Sequence, residues 1–213
     1  MLFGAAIAQA APFAVQLGDT RIGLDAPPGF ADTTFTGSPR LQELAESLTS
    51  ASNRILMFAI TDDDLRKFMV GDPPEFRRYM IAITPKGMER DRVNPQSFSL
   101  FVGDSLRELG DSAPPATSYT EYLDTQPPRK ASLLAELRRE PQLVSVLQGT
   151  RLVAQGRSRQ KPQYVLSTTT LMLLRGKALN FSVYAAYDSA PDLDWIRSIT
   201  LRWIEELQRL NSR

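Results

Sequence analysis

Neither cysteine nor histidine occurs in this 213-residue chain. The first absence excludes disulfides, thiolate nucleophiles, iron–sulfur clusters and a lipid anchor on cysteine. The second removes the usual general base near neutral pH and the commonest transition-metal ligand. A bound metal is thereby restricted to a hard cation held by oxygens. Charge of one sign is also lacking: 25 Lys and Arg stand against 24 Asp and Glu, a net charge of +1. No global field therefore gathers nucleic acid or anionic lipid at the surface. Apolar runs stay well short of the roughly 20 residues of a spanning helix, and no internal repeat or low-complexity tract is visible. What remains, 42% hydrophobic and 23% charged residues, is the composition of a folded domain and not of a disordered chain.

Residues 1–10 are small, apolar and uncharged, and Ala8-Gln9-Ala10 is a small-x-small triplet of the kind that precedes a signal-peptidase cut. They read as a truncated signal peptide whose basic start lies upstream, which leaves residues 11–213 as one domain, periplasmic or secreted, with a cytoplasmic location as the alternative. Alternation at Phe13, Val15 and Leu17, a Gly18-Asp19 turn, and Ile22 and Leu24 predict a hairpin. Ser38-Pro39 opens a helix over residues 39–50, and residues 54–60 and 77–84 are strands. Asn94-Pro95 opens another helix, over residues 95–109. Prolines 114, 115, 127, 128 and 141 mark an irregular covering segment with a helix across residues 129–139, followed by a strand over 150–157. Residues 163–174 and 178–187 form a long hairpin. A last helix, capped by Asp192 or Asp194, carries the apolar stripe Trp195, Ile196, Ile199, Trp203, Ile204, Leu207 and Leu210, which must pack on a sheet.

Several motifs invite a chemical reading. Gly103-Asp104-Ser105-Leu106 reproduces the first block of the GDSL esterases, yet it falls mid-chain inside a helix and no histidine exists to deprotonate the serine. Ser158-Arg159-Gln160-Lys161 matches the Ser-x-x-Lys spacing of penicillin-recognising hydrolases, but Pro162 opposes the helical turn that spacing needs. Asp62, Asp63 and Asp64 suggest a hard-cation loop. An EF-hand would need an oxygen ligand at Arg66, glycine at Lys67 and glutamate at Pro73, so the acidic run is better read as a helix start. Arg151, Arg157, Arg159 and Lys161 make the densest basic stretch, with Tyr164 the nearest aromatic, and read as a solvated hairpin end. Asp62, Asp63, Asp64, Arg157, Arg159 and Lys161 remain the surface candidates for recognition.

The opening hairpin ending in Leu24-Asp25-Ala26-Pro27-Pro28-Gly29-Phe30, and the close Leu173-Leu174-Arg175-Gly176-Lys177-Ala178-Leu179 before a capped terminal helix, resemble the PsbP-like family. That resemblance implies a central antiparallel sheet flanked by helices and an accessory or binding role. The expected fold is thus α+β with a mainly antiparallel sheet. The expected function is a noncatalytic module, exported to the periplasm of a bacterium, that recognises a protein partner. No cofactor, metal or nucleic acid and no membrane-spanning segment is expected. The rival readings are a hydrolase using carboxylate, serine or lysine groups and a structural subunit of an envelope assembly.

Overall fold

A computed structural model describes residues 12–114, 117–152 and 162–212, with the side chain of Glu108 left aside. The first ribbon, β1 (Phe13–Leu17) and β2 (Thr20–Leu24), pairs Val15 with Ile22 and Leu17 with Thr20, as the alternation predicts. The chain then crosses to β3 (Phe30–Asp32), a three-residue edge strand. After it come α1 (Pro39–Ser47), β4 (Asn53–Thr61), α2 (Asp62–Val70) and β5 (Arg78–Pro85). Next are α3 (Pro95–Leu106), α4 (Tyr119–Thr125), β6 (Ala131–Glu140) and β7 (Leu143–Leu152). The order closes with β8 (Gln163–Leu174), β9 (Lys177–Tyr187) and α5 (Ala190–Asn211).

Strands β3 to β9 form one sheet in the order β3-β4-β5-β9-β8-β7-β6, every pair antiparallel. Alternation in β9 sends Leu179, Phe181, Val183 and Ala185 to one face, where Ile196, Ile199, Trp203 and Leu207 of α5 cover them. Leu17, Ile22 and Leu24 of the first ribbon are sealed in the same interior. Two side chains pin that ribbon to α5: Trp203 Nε1 donates to the Asp25 carbonyl at 2.8 Å, and Asn211 exchanges hydrogen bonds with the Gly23 backbone at 2.9 Å. On the opposite face, Phe98 and Val102 of α3 pack over Val144, Val146, Leu171 and Leu173. Further along that face, Leu41 and Ala45 of α1 pack over Phe58, Ile60 and Ile81. Among the described residues no helix is long and apolar enough to cross a membrane.

The middle of the chain departs from expectation. The helix expected across residues 129–139 is strand β6, although Ala131-Ser-Leu-Leu-Ala-Glu-Leu-Arg-Arg-Glu140 is rich in good helix formers. Its neighbour β7, an almost continuously buried strand, provides a ladder along its whole length, and tertiary pairing overrides local preference. Irregularities between Leu133 and Ala135 and between Glu136 and Arg138 record the compromise. The strand expected at 150–157 begins earlier, at Leu143, and residues 153–157 lie outside the described ones. The helix that the segment does hold is α4, ahead of the expected range, and its Leu123 lies over Gly149 so closely that a Cβ there would stand 2.6 Å from it.

Candidate functional site

Of the acidic run, Asp64 is buried and occupied by local work. Its backbone N–H donates to Thr61 Oγ1 at 3.1 Å, one carboxylate oxygen accepts from the Thr61 hydroxyl at 2.9 Å, and the other accepts from the Glu75 amide at 2.8 Å. Asp63 is exposed and pairs with Arg66 at 2.5 Å, and Asp62 is exposed in the same first turn, where the helix dipole favours acidic groups. The three side chains thus point to different tasks, and among the described residues no group of three or more acidic side chains converges as a metal site would require. Arg157, Arg159 and Lys161, with Ser158, lie outside the described residues. Arg151, at the edge of that stretch, donates to the Gln126 carbonyl at 3.2 Å. Ser105 stands exposed within α3, and the adjoining Asp104 pairs with Arg107 at 2.6 Å.

A concavity of about 740 Å³ lies elsewhere, between α1 and the β3–β4 edge of the sheet. Its construction follows from local sequence. Ser38 caps α1, with its hydroxyl accepting from the Leu41 amide at 3.5 Å, and Pro39 takes the first helical position. Leu41 and Ala45 then face Phe58 and hold the helix over β4. Strand β3 is too short to cover that edge: it pairs only with Ala59, Ile60 and Thr61. Thr33 adds one more step, its amide and hydroxyl both donating to the Phe58 carbonyl at 2.7 and 2.9 Å. Beyond that point β4 has no strand on its outer side among the described residues; Leu56 and Met57 are buried there, and Arg54 and Ile55 border the cavity.

The polar lining is already engaged. Thr34 donates its hydroxyl to Asp32, Thr49 accepts from Asn53 Nδ2 at 2.9 Å, and Ser50 shares a hydrogen bond with Ser52 at 2.9 Å. Arg54 is ion-paired with Glu89, and Lys86 Nζ donates to the Ala51 carbonyl at 2.8 Å. These groups hold turns and helix ends, and of the hydroxyls named only that of Thr34 is hydrogen-bonded to a carboxylate. Sequence reading found the cap at Ser38-Pro39 but not the cavity. A three-residue edge strand leaves too little periodicity to be seen.

The class these observations define is an α+β protein built on one antiparallel sheet with helices on both faces. No family model matches the chain, and no curated protein matches it. Among solved structures it is similar to the Saccharomyces cerevisiae Ran-binding protein Mog1p, at 14% identity over 94% of each chain with a TM-score of 0.43. It is also similar to a mutant of protein Mog1, at 15% identity over 94% of this chain and 95% of that one, with a TM-score of 0.42. A likeness of this depth transfers neither partner nor activity.

Two expectations are corrected by these findings. The PsbP-like resemblance is not supported, because no family model matches and the solved chains that do match are Mog1p and a mutant of protein Mog1. Physically, the segments that suggested it are generic turns. One closes on a Phe30 amide to Pro27 carbonyl bond of 3.1 Å, and the other is the two-residue turn Arg175-Gly176, with left-handed φ of 50° and 79°. Any antiparallel ribbon uses such solutions. The periplasmic or secreted location is likewise not supported: nothing the chain is similar to is an exported protein by its name. It rested on the composition of residues 1–10, which lie outside the described residues, and a small apolar composition by itself carries no address.

Proposed function

We propose that the chain is a noncatalytic binding module whose residues 11–213 act as one unit in recognising a protein partner, and that the partner enters as an extended segment beside β4. The observation that carries this reading is the outer edge of β4 at Arg54 and Ile55, which no strand covers among the described residues and which borders a cavity of about 740 Å³ under α1. An edge strand presents unpaired N–H and C=O groups that pair readily with an added strand. The adjoining groove supplies pockets for alternate side chains, as in other cases of strand addition. Engagement of the lining hydroxyls in caps and turns favours recognition over chemistry.

The test is selection of peptides from a displayed random library, followed by amide exchange on the complex. Protection of the amides of Arg54 and Ile55 is expected on binding, together with loss of binding in Gln42→Trp, which fills the groove from an exposed position. Selected peptides that leave those amides unprotected and ignore the substitution would overturn the reading.

A further inference from the structure

The loop between β5 and α3 carries Arg90, Asp91 and Arg92, and its course is fixed from beneath. Lys177, sealed in the interior at the start of β9, donates through its ammonium to the carbonyls of Glu89 and Asp91. The Val93 amide donates to the Gly176 carbonyl at 2.8 Å. The β1–β2 turn closes against the same loop: a Cβ on Gly18, whose φ is 56°, would stand 3.2 Å from the Arg90 Cα and 3.2 Å from the Lys177 ammonium. With the carbonyls of Glu89 and Asp91 drawn to Lys177 and Val93 buried, the Arg90 and Arg92 side chains are left in solvent.

Two more arginines arrive from other segments. Arg175, in the β8–β9 turn, donates to the Arg21 carbonyl at 3.1 Å, which sets Arg21 of β2 beside it. A Cβ on Gly176 would meet the Arg92 stem at 3.8 Å, so that turn and the loop are also in contact. Arg21, Arg90, Arg92 and Arg175 are all exposed. Of the nearby acids, Glu89 is neutralised by Arg54, Asp19 lies 3.8 Å from the Lys177 ammonium, and Asp91 is exposed. Residues 18–21, 89–93 and 175–177 thus present five cations against two acids not otherwise matched, an excess of three in a chain whose total is +1. Asp19 registers this field: its carboxyl is held below its ordinary value first by the Thr20 hydroxyl and then by the Arg92 and Lys177 charges, against desolvation.

We infer that this end of the molecule is a docking surface for an acidic segment of a partner protein, whose Asp and Glu carboxylates are taken by Arg21, Arg90, Arg92 and Arg175. Guanidinium forks match carboxylates in shape and charge. A loop held by buried groups presents them at little cost in ordering. No aromatic side chain stands on these three segments to stack a base, and the two acids set among the arginines oppose a continuous phosphate backbone. None of the large exposed apolar side chains lies on them either, so nothing there enters a bilayer. A polypeptide is therefore favoured over nucleic acid and over lipid. The surface makes no use of strand pairing at β4, and it stands or falls independently of it.

The probe is a blocked hexa-glutamate peptide, titrated into the full chain and followed by chemical-shift mapping, with blocked hexa-glutamine as control. Saturable binding at about millimolar concentration or below is expected, weakened by added salt, with shifts at residues 18–21, 89–93 and 175–177. Arg90→Glu combined with Arg92→Glu is expected to weaken binding by about tenfold or more. Arg90→Gln combined with Arg92→Gln is expected to weaken it by less, and both pairs to keep the unfolding midpoint, because the side chains are exposed. Arg40→Glu, the same change of charge at an exposed position on α1, is expected to leave binding within about twofold. No saturable binding at millimolar peptide, equal binding of hexa-glutamine, or shifts confined to other residues would overturn the inference. So would an equal loss in Arg40→Glu, or tighter binding of a single-stranded hexanucleotide or of phosphatidylserine vesicles than of the peptide.

Discussion

Lys177 shows how much a single side chain can decide. It is 1% exposed, at the first position of β9, and its ammonium donates to the carbonyls of Glu89 and Asp91 at 3.2 and 2.9 Å, with Asp19 at 3.8 Å. It ties the loop before α3 to the hairpin that carries β8 and β9. Removing a buried donor leaves its acceptors unmatched, which costs more than the bond itself contributes. Lys177→Met is therefore expected to lower the unfolding free energy by about 2 kcal/mol. Urea unfolding monitored by tryptophan fluorescence checks this, and an unchanged midpoint would show that the carbonyls are served by solvent instead.

At the scale of the element, α5 is the lid of the interior and its start is fixed by Asp192. That carboxylate accepts from the amides of Asp188 and Ser189, each at 3.1 Å, from the Ser189 hydroxyl at 3.3 Å, and from Arg78 at 3.1 Å. Burial acts to raise its pKa, but these donors outweigh it and hold the carboxyl below its ordinary value. Arg78 in turn lies over the Trp195 ring at 4.2 Å, so the cap also fastens β5 to the helix. Asp192→Ala is expected to cost about 1 kcal/mol, the usual worth of a helix N-terminal cap. Thermal unfolding of the variant measures it, and an unaltered midpoint would mean that Pro191 and the packing of Ile196 suffice to start the helix. The sequence pointed to Asp192 or Asp194 as the cap. Ser189 occupies that place and Asp192 reaches back from the third helical position, an arrangement that the spacing Ser-x-x-Asp encodes.

For the whole molecule, carboxylates pull the pH dependence of stability in two directions. The carboxyls of Asp25 and Asp32 are raised above their ordinary 3.8 by burial. Their contribution is fully present below that value and is lost as pH rises through their higher folded values, so mild acidification from neutrality stabilises the fold. Asp192 and Glu206 are lowered, and their contribution is present above ordinary carboxylate values and lost as pH falls through the depressed ones. A stability maximum on the mildly acidic side of neutrality is expected from calorimetric scans across pH. Combining Asp25→Asn with Asp32→Asn should raise stability at pH 7 and flatten the climb toward that maximum, while a profile that the pair leaves unchanged would remove these two groups from the account. Period-two alternation in the first ribbon and in β9, the proline caps at Ser38 and Asn94, and the apolar stripe of α5 were all written in the sequence, because each is a local consequence of neighbouring residues. The strand at Ala131–Glu140, the three-residue β3 with the bare edge beside it, and the unsatisfied oxygen of Asp25 were decided only by tertiary structure. Their causes are partners far away in the chain: a ladder offered by β7, a strand too short to reach along β4, and an indole 178 residues distant that holds a carbonyl in place.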